Sequence, residues 1–211
     1  MSFSCHAKRA RDPEVPFAWR VSSVRSCVER YGPLGFHATL AFVASQVGPL
    51  RRDEATMLAS LELLERSRQV WRREKEEFAA LRKAEKAVGR RTLGSAVRNV
   101  YRCDRWHADP QAGAAFAVGY WRRVRRPALM GAEGDPVVPD VDALVDAYCF
   151  GAASRDPAFA TRITAVLGRI DGDRSFASWD ADRVGFSRRG QLMEVLHHLT
   201  VAVAGAEQVY R

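Results

Sequence analysis

Between Asp53 and Val88 the chain keeps one apolar period with no glycine or proline. Met57, Leu61, Leu64, Trp71, Phe78, Leu81 and Val88 recur at helical steps, while Arg66, Arg72, Arg73, Glu76, Glu77, Arg82 and Lys83 lie mostly off that stripe. The pattern predicts one long helix with Asp53 as its N-cap. At its full extent it would measure about 54 Å, longer than a compact domain of this size is wide, so part of it is expected to protrude or to lie along a neighbour.

On either side the patterning is also helical. Trp19, Val21, Val24, Cys27 and Val28 predict a helix from Phe17 to Glu29, and Gly32, Pro33 and Gly35 a turn. Phe36 to Val47 is apolar on most sides and stops at Gly48 and Pro49, as expected of a buried helix. Further helices are predicted from Thr92 to Trp106, Gln111 to Arg126, Asp140 to Phe150, Asp156 to Ile170 and Ser187 to Val203. Residues 1–16 are polar and interrupted by Pro13 and Pro16, which predicts an extended N-terminal arm. No run of alternating strands is found, so the expected fold is all-α: an irregular helical bundle with one long helix and that arm. The Gly- and Pro-rich stretch 127–139 is the expected linker between a helical domain at 17–126 and a C-terminal helical subdomain at 140–211.

A hydrophobic content of 47% in 211 residues supplies a core. The net charge of +8, from 33 basic against 25 acidic residues, suits RNA, anionic headgroups or acidic protein surfaces as partners. Cys5, Cys27, Cys103 and Cys149 form no CxxC pair, which argues for a reducing compartment rather than a disulfide framework or zinc ribbon. No run reaches the roughly 20 apolar residues of a transmembrane helix. Lys8, Arg9, Arg11, Arg20 and Arg25 among serines favour a mitochondrial address, although Asp12, Pro13, Glu14 and Pro16 interrupt an amphipathic targeting helix.

Two stretches resemble known families. Phe176 to Leu192, FASWDADRVGFSRRGQL, resembles a degenerate EF-hand: Asp180 and Asp182 stand at its first and third positions, Gly185 at the sixth and Gln191 at the bidentate glutamate. Val184 replaces an oxygen donor and Arg183 adds positive charge, so the resemblance implies a calcium-independent adaptor, with no metal bound. Val100, Tyr101 and Arg102, then Tyr120 to Arg126, then Leu144, Val145 and Tyr148, are similar to the LYR-motif family of small mitochondrial three-helix proteins. That resemblance implies that Arg102, Arg122, Arg123 and Arg126 would meet an acidic partner such as an acyl carrier protein. Valine stands in the place of the family's first leucine, and Pro110 interrupts the helix expected to carry the motif.

Catalytic signatures are lacking. There is no GxSxG, phosphate-binding glycine loop or HExxH, and His107, His197 and His198 have no regularly spaced companion ligands. Asp171, Asp173, Asp180 and Asp182 form an acidic cluster of the kind usually left to solvent. The aromatic and arginine residues carry more: Trp71, Phe78, Tyr120 and Trp121 are candidate apolar anchors, and Arg122, Arg123, Arg125 and Arg126 would set the register against acidic protein or RNA. The expected function is therefore that of a non-catalytic, cofactor-free accessory or scaffold subunit of a large intracellular assembly. A mitochondrial respiratory complex or ribosome would fit, with other protein subunits as partners. The alternatives are a basic RNA-binding helical protein and an EF-hand-like adaptor.

Overall fold

A computed structural model describes residues 1–89, 103–126, 137–153, 156–172 and 188–204. Every regular element among them is helical, so the fold is all-α. The chain divides into two compact units, 1–109 and 110–211.

The first unit holds α1 (Phe3–Arg11), α2 (Phe17–Arg30), α3 (Phe36–Val47) and α4 (Glu54–Ala87). The long helix forms as its period predicts: the Asp53 carboxylate caps it by accepting the Thr56 N–H at 2.7 Å, and its 34 residues span about 51 Å. Its buried positions, Thr56, Met57, Ser60, Leu61, Leu64 and Ser67, all lie in the first half. Further along, Leu81 and Val88 are exposed. The helices α2 and α3 pack on that buried half with Val24, Cys27, Val28, Tyr31, Phe42 and Val43. The turn between them requires glycine at position 32, where a Cβ would come within 2.8 Å of the Val28 carbonyl oxygen. On α3 only Ala38, Thr39, Phe42 and Val43 are buried, so this apolar helix uses one face rather than all.

The expected N-terminal arm is instead α1, a helix packed on α2 and α4. The proline and acidic breakers begin only at Asp12, which leaves nine residues free to wind, with Ser2 accepting the Cys5 N–H as the N-cap. So short a helix has little stability alone. It is held by burial of Phe3, Ala7 and Ala10, and by the buried Arg20, which donates to the Ala10 carbonyl at 2.9 Å and to Glu54 at 2.6 Å.

The second unit contains α5 (Pro110–Tyr120), a π-helical turn (Trp121–Arg125), α6 (Val138–Cys149), α7 (Phe159–Gly172) and α8 (Arg188–Ala204). Its core joins Val118, Trp121, Val141, Leu144, Phe159, Ile163, Ile170, Leu192, Leu196 and Leu199. The boundary predicted at 127–139 thus falls earlier, between Asp109 and Pro110. Pro110 opens α5 at a position where its missing N–H costs nothing, and α5 packs chiefly on α8. Asp140, the expected cap, lies within the first turn of α6, which starts at Val138. Among the described residues no helix is long and apolar enough to cross a membrane.

Candidate functional site

In the first unit, a groove of about 430 Å³ runs between α1 and α4. Ser4, Lys8 and Arg11 form one edge at helical steps, and Glu65, Arg68, Gln69 and Arg72 the other, above Phe3 and Ala7. Arg11 and Glu65 tie the edges together in a bidentate pair, with Nη1 to Oε1 at 2.8 Å, and the Glu65 carboxylate raises the Arg11 pKa. The Arg68 guanidinium lies 4.5 Å from the centroid of the Phe3 ring. Among the described residues neither Lys8 nor Arg68 has a carboxylate within ion-pair distance, and Arg72 meets only Glu76 at 3.9 Å, one turn along its own helix. Four cations therefore converge on one groove that holds a single carboxylate.

Beneath α4 lies a second polar cluster, built where the chain returns at 103–109. Glu74 accepts from Arg105 at 2.7 Å and from the Nδ1 of His107 at 3.0 Å. Burial alone would raise the Glu74 carboxyl, but the His107 hydrogen bond and the Arg105 charge outweigh it and hold the pKa below the ordinary value. Burial first, with the neighbouring Arg105 charge, lowers the His107 pKa against the raising effect of Glu74. The imidazole is thus neutral and donates its Nδ1 proton to an ionised carboxylate. Its Nε2 is buried, and the Cys103 thiol is pushed up to about 12 by burial, so the cluster ties the chain down and offers no activated nucleophile.

Trp71 belongs to the same assembly. Its ring lies 5.6 Å from Tyr31 and 5.9 Å from His107, with the Lys75 ammonium 3.6 Å from its centroid. The expected partner anchor is therefore engaged within its own unit. Tyr31 completes the cluster through a 2.7 Å hydrogen bond to Ser67. Tyr31→Phe removes that bond and leaves a buried hydroxyl without it. The expected cost is about 1–2 kcal/mol in urea denaturation, and a loss below about 0.3 kcal/mol would show the bond to be dispensable.

In the second unit the predicted arginine cluster is largely consumed by internal ties. Arg122 bonds Asp146 at 2.7 Å with its guanidinium 4.6 Å from the Phe150 ring, and Arg126 bonds Asp142 at 3.0 Å and Asp146 at 3.4 Å. Arg125 is half-buried and its charge acts on Glu194; of the four, only Arg123 is exposed. Trp121 is a core residue and not an exposed anchor: it is buried in the same cluster as Val118 and Leu144. Tyr120 is half-buried and stacked on Phe116 at 6.3 Å.

The predicted partner-binding residues thus separate: Trp71 and Phe78 lie on α4 of the first unit, and Tyr120 to Arg126 in the second. Phe78 is half-buried. Asp180, Asp182 and Gly185 of the EF-hand-like loop lie outside the described residues, as do Val100, Tyr101 and Arg102; Gln191 sits in the first turn of α8.

Lys8, Arg11, Arg68 and Arg72 do not stand out in the sequence as a group. Their signal was the three- and four-residue spacing of cations on two separate helices, one of them hidden by the arm assignment. The units also differ in charge. Residues 1–109 hold 21 Lys and Arg against 13 Asp and Glu, and residues 110–211 hold 12 of each, so the whole net charge of +8 belongs to the first unit. No protein-family model, curated protein or solved structure matches this chain.

Proposed function

We propose that this chain is a non-catalytic helical accessory subunit that works by adhesion within a larger assembly, with its first unit as the basic docking module. The observation that supports this most is the concentration of the net charge in residues 1–109, with four cations at one groove. The second unit, balanced in charge and with Arg122 and Arg126 already paired, is the more self-contained of the two. An intracellular, organellar assembly such as a mitochondrial respiratory complex or ribosome fits this role.

The same charge favours a second reading as an RNA-binding protein. Affinity purification of the tagged chain at moderate and high salt, with and without nuclease, separates the two. A fixed set of co-purifying proteins that survives nuclease is the expected result. A solitary monomer would sink the subunit proposal, and recovery that is lost with nuclease would establish the RNA reading.

A further inference from the structure

We propose that the groove between α1 and α4 receives an acidic helical segment of a protein partner. The inference rests on the accessory-subunit reading and names the chemistry of its docking site. Charge complementarity carries it. Lys8 and Arg68 have no carboxylate within ion-pair distance among the described residues, Arg72 has only a distant one, and Arg11 already holds Glu65 in a planar fork. Along α4, Arg68 and Arg72 are separated by a rise of about 6 Å, which is also the rise between carboxylates four residues apart on a partner helix. Each guanidinium can take one such carboxylate in a bidentate pair, with Lys8 opposite them as a point charge.

Several features favour a polypeptide over nucleic acid. The one aromatic ring in the lining, Phe3, is buried with Arg68 packed against it, so no open ring face is left for a base to stack on. The Phe3 and Ala7 floor suits the methylene stems of glutamate and the apolar residues between them. The exposed Ser4 and Gln69 add neutral hydrogen-bonding groups at the edges.

The test uses the full chain and a labelled Ala/Glu peptide with Glu at every fourth position, followed by fluorescence anisotropy. A peptide of the same composition with its glutamates scattered around the helix is the control, and oligo-uridine the competitor. Lys8→Glu with Arg72→Glu reverses two exposed charges and should leave the circular dichroism unchanged. Arg30→Glu with Arg51→Glu, two exposed charges of the first unit outside the groove, is the charge-matched control. The expected result is binding of the patterned peptide, weakened about tenfold or more by the groove pair and not by the control pair. No binding of the patterned peptide, equal binding of the scattered one, unchanged affinity in the groove pair, or stronger competition by oligo-uridine than by unlabelled peptide would overturn the assignment. Purification with the groove variant separates the two levels: an assembly recovered at wild-type yield defeats the groove and leaves the subunit proposal standing. No assembly recovered even by the wild-type chain defeats the subunit proposal itself.

Discussion

Glu74→Ala is expected to destabilise the first unit by about 2–3 kcal/mol, the cost of taking a partly exposed carboxylate away from two buried donors. The carboxylate accepts from two nearly inaccessible donors, Arg105 and His107, whose side chains are 8% and 1% exposed. Without it the buried guanidinium loses its Glu74 bond and the imidazole its orienting acceptor. Glu74 also joins the middle of α4 to the returning segment at 103–109, so its loss should loosen that segment first. Urea denaturation followed by tryptophan fluorescence measures the effect, with Trp71 and Trp106 beside the site. Glu74→Ala with Arg105→Met should recover part of the loss, because the buried charge that Glu74 served is gone as well. A single-variant loss below about 1 kcal/mol would show that water or another group replaces the carboxylate.

Acidification is expected to weaken the second unit through His198. This imidazole is fully buried on α8, and burial first, then the neighbouring His197, lowers its pKa to about 3. In the unfolded chain the ordinary value is about 6.5. Between these values the unfolded state binds a proton that the native state refuses, so stability falls as pH falls, by at most about 1.4 kcal/mol per pH unit. Glu194, 4.0 Å from the His198 ring, has its pKa raised by burial against the opposing Arg125 charge. It therefore acts with the opposite sign, since the native state takes up its proton first as pH falls. His198→Leu removes the histidine contribution and leaves that of Glu194. Hydrogen exchange of the α8 amides should show the variant gaining about 2.3 kcal/mol relative to wild type between pH 6.5 and 4.5. Parallel pH profiles for the two proteins would rule out His198 as the source.

Much of the helical framework could be derived from periodicity alone. The span of α4, its Asp53 cap and the limits of α3 emerge as expected, because a glycine- and proline-free amphipathic run and paired Gly/Pro stops leave few alternatives. The helix at 3–11 was hidden for the converse reason. Its local signals are weak, and what forms it is burial of Phe3, Ala7 and Ala10 together with a carbonyl contact from Arg20 ten positions on.

Site residues divide along the same line. Arginines next to aromatics at 120–126 advertise an interface, yet a basic run cannot reveal that Asp142 and Asp146 on another helix already neutralise part of it. Trp121 could not be told from a surface anchor until the π turn and α8 showed which side of the helix is inside. The groove cations, in contrast, come from positions 8, 11, 68 and 72, two pairs without meaning to each other before α1 packs on α4. Local periodicity and composition determine helices, caps and total charge, since these depend on neighbours within about two turns. Which charges stay available, and where they converge, is a property of side chains far apart in sequence, and only tertiary packing decides it.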